Sequence, residues 1–293
     1  MDRRSFLGTV TAATLLSRKL AWAEGDRRLE RIGVQLYTLR SEMAKDFAGT
    51  LGKVASIGYK EVEFAGYFDH SPAEVRKTLD NVGLAAPAAH VNYETLGDEW
   101  AGVLQAAKAI GHTYIVIPSI PEAMRSQTDG WKQAAEKFNR AAEASKNAGI
   151  QFAYHNHYFE FVAIDGKLPY DILLAETDPN LVKMEMDLCW ITVGGQDPLA
   201  YFSRYPGRFP LVHVKDIKKI PAKGAFRKAA SASERTADQT DVGSGAIDWK
   251  RIFAHSDEAG IKHYFVEQDD PRSPFDSIKN SYAYLRDLRF SEP

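Results

Sequence analysis

The stretch AGIQFAYHNH, residues 148–157, contains the pattern on which the fold prediction rests. Gly149 follows a predicted amphipathic helix, residues 130–147, and a glycine just past a helix end takes the left-handed conformation that turns the chain. A short strand comes next, over residues 151–156, and histidines stand at its end. The stretch therefore predicts a helix, a glycine turn and a strand that ends in polar side chains.

The same pattern recurs along the chain. A glycine separates a predicted helix from a predicted strand again at Ile57-Gly58-Tyr59, Val82-Gly83-Leu84, Ile110-Gly111-His112 and Ala259-Gly260-Ile261. The predicted strands cover residues 32–37, 61–64, 84–91, 114–117, 151–156, 182–187, 211–215 and 264–267. The predicted helices cover residues 46–56, 72–81, 99–110, 130–147, 170–176, 198–205, 249–258 and 274–288.

This alternation predicts the fold class. Strands that are separated by helices pair in parallel through right-handed crossovers, and eight such units close a barrel. The alternative is a doubly wound open sheet, but the first strand lacks a glycine-rich dinucleotide loop. The sequence therefore predicts an α/β protein with a single (β/α)8 TIM barrel over residues 31–293.

The N-terminal residues 1–23 predict a twin-arginine export signal, with residues 24–30 as a linker. Arg3-Arg4-Ser5-Phe6-Leu7-Gly8 precedes an apolar stretch, and Ala21-Trp22-Ala23 supplies an A-x-A cleavage site. An ordinary basic N-terminus is the alternative interpretation. The apolar run is too short to span a bilayer, so we expect a periplasmic or otherwise exported protein without a membrane span.

Composition narrows the class of partner. Apolar residues form 44% of the 293-residue chain, enough for a substantial core, and 37 basic residues stand against 39 acidic ones. Removal of residues 1–23 takes away four basic residues and one acidic residue, which leaves 33 against 38 and a net charge near −5. No basic block points to nucleic acid. Cys189 is the single cysteine, so no intramolecular disulfide forms, which suits a protein that folds before export.

Polar residues accumulate at the predicted carboxyl ends of the strands, where the active site of a barrel lies. They are Gln35, Tyr37, Glu63, His90, Asn92, His155, His157, Asp187, His213, Lys215 and Glu267. Since side chains alternate between the two faces of a strand, Glu185 shares a face with Asp187, and His213 shares one with Lys215. Buried carboxylates that converge need a cation, so this set predicts a mixed nitrogen and oxygen metal site.

Several of these motifs resemble one known family. They are GVQLYTLR (residues 33–40), YHNH (154–157), MDLCW (186–190), PGRF (206–209) before HVKD (213–216), VGSGAID (242–248) and FVEQ (265–268). In order and spacing they resemble the sugar phosphate isomerase/epimerase family, which has a xylose isomerase-like barrel. The resemblance covers essentially all of residues 31–290.

The resemblance implies one divalent metal ion, commonly manganese, zinc, cobalt or magnesium. Asp187, His213 and Glu267 match three of the family's ligands, and His155 stands where the family usually has a glutamate. His157, two residues further on, is close enough to bind the metal or the substrate. The substitution is a departure from the pattern, because related epimerases use two glutamates as a paired acid and base.

Lys215, His157 and Glu267 are the candidate catalytic residues. Lys215 is expected to act as a general base or to stabilise a developing enolate, with a pKa lowered by burial and by the metal. The alternative is a plain ion pair with Asp216 or Glu185.

The remaining candidates are assigned to substrate or to structure. The expected substrate-binding residues are Glu63, His90, Gln35, Tyr37 and Trp190. Gly243 and Gly245 are expected to shape a loop rather than to bind phosphate. The ordinary surface histidines are expected to be His70, His112, His255 and His263.

A sugar or keto-sugar is the expected partner. The first interpretation is a metal-dependent isomerase or epimerase that abstracts a proton next to a carbonyl through an enediolate. An eliminating enzyme, such as a lyase or hydrolase of 3-keto-glycoside type or a dehydratase, is the second, and a non-catalytic periplasmic sugar-binding protein is the third. A DNA-repair endonuclease on this barrel would need more metal ligands and a basic surface. The segment 218–241 is left open as a lid or a subunit contact, and so is the oligomeric state.

Overall fold

The structure is a computed structural model that describes residues 27–222, 238–291 and 293. The predicted export signal, residues 1–23, lies outside these residues and stays a prediction, and so does the role of the segment 218–241, most of which is also outside. Across the described ranges, no helix is both long and apolar enough to cross a membrane.

A closed barrel of eight parallel strands forms the centre of the described chain. Its strands are β1 (Gly33–Gln35), β2 (Glu61–Ala65), β3 (Ala85–His90), β4 (Tyr114–Ile117), β5 (Gln151–His155), β6 (Val182–Asp187), β7 (Leu211–Val214) and β10 (His263–Val266). Each strand pairs with the next in this order, and β10 pairs with β1. The predicted TIM barrel is therefore confirmed.

Helices surround the barrel. They are α1 (Arg40–Lys45), α2 (Phe47–Ile57), α3 (Pro72–Val82), α4 (Trp100–Ile110), α5 (Thr128–Asn147), α6 (Pro169–Glu176), α7 (Leu188–Val193), α8 (Pro198–Arg204), α9 (Trp249–Ala254), α10 (Ser256–Ala259) and α11 (Pro274–Asp287). Short 3-10 turns lie at Leu36–Leu39, Tyr93–Thr95, Glu122–Met124 and Phe159–Phe161. A separate antiparallel pair is formed by β8 (Asp216–Ile217) and β9 (Gln239–Thr240).

The structure differs from the predicted elements where side chains cap the backbone. β1 ends at Gln35, two residues before the predicted end, because the Gln35 side chain accepts the Tyr37 N–H and begins a 3-10 turn. α7 was not predicted; the Asp187 Oδ1 accepts the Trp190 N–H at 2.7 Å and so caps it. Both features start at candidate site residues, which places those side chains at bends of the backbone.

A small apolar layer fills the barrel interior below the polar strand ends. It consists of Ala88, Tyr114, Val116, Ala153, Leu211 and Phe265, all buried. Along their strands Ala88, Ala153, Leu211 and Phe265 stand two residues before His90, His155, His213 and Glu267. Because alternate residues share a face, the apolar layer supports the polar side chains from beneath.

Asp216, just after β7, organises the loop that contains Gly243 and Gly245. Its buried carboxylate accepts the backbone N–H groups of both glycines, at 2.9 and 3.2 Å, and the indole N–H of Trp249 at 3.0 Å. The loop thus wraps a carboxylate of its own chain, as expected for glycines that shape a loop.

We predict that Gly245→Ala lowers the free energy of unfolding by about 1–3 kcal/mol, the usual cost of overpacking. A Cβ at Gly245 would overlap the Oδ1 of Asp216, and its distance to the carbonyl oxygen of Ile217 would be 2.6 Å. Gly102→Ala in α4 is the control, since a Cβ there meets nothing within 4 Å. It should raise stability by about 0.5–1 kcal/mol. Urea unfolding of both variants measures the difference, and equal stabilities would contradict the prediction.

The prediction of a surface position for His112 was wrong. The side chain is only 4% exposed, its Nδ1–H donates to the Ala86 carbonyl at 2.6 Å, and its Nε2 accepts from the Tyr67 hydroxyl at 3.1 Å. His263, which was likewise expected on the surface, lies at the start of β10, and its Nδ1 contacts Glu61 at 2.8 Å. Burial lowers the pKa of His112 to about 4, although the hydrogen bond to Ala86 opposes this shift.

This pKa predicts a loss of stability in acid. Between pH 6.5 and 4 the unfolded chain binds a proton at His112 that the folded chain does not, so stability falls as the pH falls. We expect the wild type to lose about 3 kcal/mol more than His112→Gln over this range. Urea unfolding at pH 7 and pH 4 measures this difference. Parallel pH profiles for the two proteins would show that the neutral imidazole contributes nothing.

Candidate active site and metal centre

The candidate site lies at the carboxyl ends of the barrel strands. Glu63 on β2, His155 on β5, Asp187 on β6 and His213 on β7 point into this mouth, and all are buried. Strand backbones are held by hydrogen bonds on both sides, so they fix these side chains more firmly than a loop would.

Glu185 is the hub of one cluster. Its Oε2 lies 2.7 Å from His90 Nε2, 3.1 Å from His155 Nδ1 and 3.2 Å from His213 Nε2. Burial by itself would raise the pKa of Glu185, but the nearby His213 and His90 outweigh it and hold this pKa well below its usual range. Glu185 is therefore an anion that gathers the three imidazoles.

His213 links this cluster to a second one. Its Nε2 lies 2.7 Å from the Oε2 of Glu63, and its Nδ1 lies 2.8 Å from the Oε2 of Glu267. Burial opposes the charged form of His213, but Glu185 and Glu267 raise its pKa well above the usual range. Both ring nitrogens thus face carboxylates.

Lys215 follows β7 and is only 1% exposed. Its Nζ lies 2.8 Å from Glu267, 2.8 Å from Asp269 and 3.1 Å from Asp187. Burial disfavours the ammonium, but these carboxylates raise the pKa of Lys215 well above its usual range, opposite to the predicted direction. Lys215 therefore forms its ion pairs with these three carboxylates and not with the expected Asp216 or Glu185, and they stabilise its ammonium form.

The two histidines at the end of β5 differ in their surroundings. His155 belongs to the Glu185 cluster, and burial together with the neighbouring His213 lowers its pKa to about 3. His157 is partly buried, and its Nδ1 has no hydrogen-bond partner. Its ring stacks on Phe159 with centroids 5.3 Å apart and lies 6.4 Å from the ring of Trp190. His157 therefore offers a neutral imidazole nitrogen at the mouth.

Burial also acts on the remaining carboxylates. It raises the pKa of Asp187 to about 6, although Lys215 and His213 oppose the shift. It raises the pKa of Glu63 to about 7, with Glu185 adding to the effect. A set of buried acids with raised pKa values is stabilised by additional positive charge.

The donor atoms fit a divalent metal ion. Asp187, His213 and Glu267 each offer an atom within 4.8 Å of the others, and so do His90, His155, Glu185 and His213 as a second group. One buried oxygen each of Glu63 and Glu185 accepts no hydrogen bond, and the Oδ2 of Asp187 has only its ion pair with Lys215. Nitrogen and carboxylate donors with free lone pairs suit zinc, manganese or cobalt. The structure thus brings three of the four predicted ligands together and places His155 in the adjoining group.

The other predicted residues fall into two kinds of position. Gln35 is fully buried and donates to Glu63 at 2.8 Å, whereas Tyr37 is 42% exposed and stacks under the Arg40 guanidinium at 4.3 Å. Trp190 lies at the mouth, with its ring 5.1 Å from the Lys215 Nζ. Tyr37 is thus an exposed aromatic residue of this set, and Trp190 is a buried one.

Some residues of the site were not singled out from the sequence. Glu160 is buried, accepts the Tyr154 hydroxyl at 2.6 Å and the His157 backbone N–H at 2.9 Å, and so anchors the turn after β5. Asp269 binds Lys215 and exchanges two hydrogen bonds with Gln239 on β9, at 2.5 and 2.8 Å. Asp269 stands two residues after Glu267, and this spacing could have identified it as a residue of the site. Glu160 and Gln239 lie outside the barrel strands, and no sequence pattern pointed to them.

The sequence model of one family, described as the xylose isomerase-like TIM barrel, matches residues 51–288. The chain belongs to this family. A xylose isomerase-like TIM barrel has its site at the strand ends described above.

Individual relatives add detail to the family assignment. This xylose isomerase-like chain is 29% identical over 163 residues to an inosose dehydratase of Lacticaseibacillus casei, a match that spans about half of either protein, 54% of each. It is 27% identical to a sugar phosphate isomerase/epimerase structure from Parabacteroides distasonis, with a TM-score of 0.72 over 94% of this chain and 98% of that one. A zinc-bound IOLI protein shares the fold at 14% identity, with a TM-score of 0.67 over 86% and 95% of the two chains.

We predict that the full-length chain binds a divalent ion and that Asp187→Asn and Glu267→Gln both lose it, because each change removes an anionic ligand. Asn can keep the cap on the Trp190 N–H, so α7 should persist. Elemental analysis after loading with manganese, zinc or cobalt measures the metal content.

Asp269→Asn is the control for loss of a nearby negative charge. Its carboxylate is held by Lys215 and Gln239 and lies outside both candidate ligand groups, so this variant should retain the ion. Ion binding that survives both Asp187→Asn and Glu267→Gln would place the metal elsewhere.

Proposed function

We propose that this barrel is a divalent-metal-dependent enzyme that eliminates water or an alcohol from a keto-sugar or cyclic keto-polyol. The observation that carries the proposal is that a proton donor and a proton acceptor lie near each other in the site. Three carboxylates keep Lys215 as an ammonium, and the Nδ1 of His157 has no hydrogen-bond partner. Both lie beside Trp190, at 5.1 Å for the Lys215 Nζ and 6.4 Å between ring centroids for His157.

Asp187, His213 and Glu267 are the residues that would hold the ion. When bound, a divalent ion supplies Lewis acidity at the substrate carbonyl and so acidifies the neighbouring C–H. The residues supply the proton transfers. His157 accepts the proton from the carbon next to the carbonyl, through its unpartnered Nδ1.

Lys215 completes the elimination as the acid. As electrons from the broken C–H bond form a C=C bond, the C–O bond at the β-carbon breaks, and the ammonium donates a proton to the departing oxygen. The products are an α,β-unsaturated ketone and water, or an alcohol if the substituent is a glycoside. Asp187, Glu267 and Asp269 keep Lys215 protonated for this role.

Elimination suits this residue set better than epimerisation. An epimerase must return the proton to the opposite face of the carbon and therefore uses a second acid or base there. The family resemblance places a glutamate at the end of β5 for this purpose, and this chain has His155, which is held by Glu185. The relative from Lacticaseibacillus casei, an inosose dehydratase, supports the same choice.

Isomerisation or epimerisation is the second candidate. It is favoured by the likeness to the Parabacteroides distasonis sugar phosphate isomerase/epimerase, which covers 94% of this chain. The first half of the reaction, removal of the proton next to the carbonyl, is common to both candidates.

We predict that the metal-loaded chain converts an inosose or a 3-keto-glycoside to an unsaturated ketone or its diketone tautomer. Mass spectrometry shows the loss of water or aglycone, and ultraviolet absorbance follows the conjugated product. His157→Gln should slow the reaction by about 10²–10⁴-fold, the usual contribution of a general base.

Running the same reaction in deuterium oxide separates the candidates. Deuterium in an otherwise intact sugar, together with a new isomer, would contradict elimination and support the second candidate. Glu61→Gln is the control, because Glu61 is buried at the opposite end of β2, where it contacts His263. A loss of rate in this variant equal to that of His157→Gln would assign the effect to folding.

A further inference from the structure

We infer that Gln35 and Glu63 are positioning residues that keep the proton of the His213 imidazole on Nε2, so that Nδ1 is the atom offered to a metal ion. The inference rests on the proposed metal-dependent function and extends it to residues on β1 and β2. It replaces the expected contact of Gln35 and Glu63 with substrate by an action through His213.

The chain of hydrogen bonds begins at the backbone. The Tyr37 N–H donates to the Oε1 of Gln35 at 3.0 Å, and the Gln35 Nε2 donates to the Oε2 of Glu63 at 2.8 Å. A backbone N–H can only donate, so it fixes which end of the Gln35 amide is oxygen. The amide nitrogen must then face Glu63, and the two residues are neighbours in the β1–β2 register.

Glu63, held by Gln35, in turn fixes the imidazole of His213 by a hydrogen bond. Its Oε2 lies 2.7 Å from the Nε2 of His213, and the same oxygen accepts the Gln35 amide N–H, so this oxygen is the acceptor and Nε2 carries the proton. The other ring nitrogen, Nδ1, faces Glu267 at 2.8 Å, within the group formed with Asp187. Gln35, Glu63 and His213 are all 0% exposed, so water does not compete for these hydrogen bonds.

Glu185 is a weaker acceptor for the same proton. It lies 3.2 Å from His213 Nε2, and its oxygen already contacts His90 at 2.7 Å and His155 at 3.1 Å. Glu63 makes the shorter contact with His213 and is held in place by Gln35. Glu63 is therefore the residue whose loss should affect His213 most.

A carboxylate behind a metal-binding histidine fixes the ring and raises the basicity of the other nitrogen, and its loss typically costs 10–100-fold in metal affinity. The rival arrangement is an ion held by His90, His155, Glu185 and His213. In that case the Nε2 of His213 would be a ligand and could not donate to Glu63. The two arrangements exclude each other, which makes the inference testable.

The test is calorimetric titration of the full-length chain with zinc and with manganese. We expect one ion per wild-type chain, an affinity about 10-fold lower in Glu63→Gln, and about 100-fold lower in Glu63→Leu, which has no acceptor. Gln35→Leu should fall between the wild type and Glu63→Leu. Glu61→Gln is the matched control, with the same change on the same strand at the other end of the barrel, and its affinity should be unchanged.

Nitrogen-15 NMR of histidine-labelled, zinc-loaded wild type gives a second readout. It should show His213 protonated at Nε2 and bound through Nδ1, and it decides the question even where a Glu63 variant fails to fold.

Unchanged affinity in both Glu63→Leu and Gln35→Leu would overturn the inference while leaving the metal site intact. So would two ions per chain, or a His213 bound through Nε2. A wild-type chain that binds neither metal would overturn the proposed function itself, which is a different result from a wild type that binds while the variants bind equally well.

Discussion

The free-energy cost of burying carboxylates determines which side chains must meet at the carboxyl ends of the barrel strands. Glu63, Glu185, Asp187 and Glu267 lie within one mouth, and an isolated buried carboxylate would lose its hydration without compensation. The compensation comes from side chains on other strands, above all from His213, which contacts three of the four. Correct pairing therefore requires all these strands in register, so the site and the barrel closure depend on each other.

The chemistry follows from the way in which positive charge is distributed among these acids. Lys215 pairs with Asp187 and Glu267 in one group, whereas three imidazoles surround Glu185 in the other. Lys215 lies 5.1 Å from the ring of Trp190, so in the proposed function substrate would meet a fixed ammonium and a set of metal ligands together. Acid and Lewis acid would then act on neighbouring oxygens of one small molecule.

Much of the fold was predictable because its signals are local. Glycines after helices and short apolar runs marked the strand–helix units, and alternation along the strands predicted that Glu185 shares a face with Asp187 and His213 shares one with Lys215. The errors have two causes, the shortness of one element and contacts between residues that are distant in sequence. The helix α7, which Asp187 caps, is too short to show a helical periodicity in the sequence. The partners of Lys215 are Asp187 at the end of β6 and Glu267 and Asp269 just after β10, all distant from Lys215 in sequence. His112 is buried beside Tyr67 and Ala86, which lie 45 and 26 residues earlier in the sequence.

The strand β9 contacts the site through Gln239, which exchanges two hydrogen bonds with Asp269. Asp216, on β8, accepts the backbone N–H groups of Gly243 and Gly245, which follow β9. One of the carboxylates that hold Lys215 is thus tied to β9 as well as to the end of the barrel strands, which couples the position of this ammonium to a strand outside the barrel.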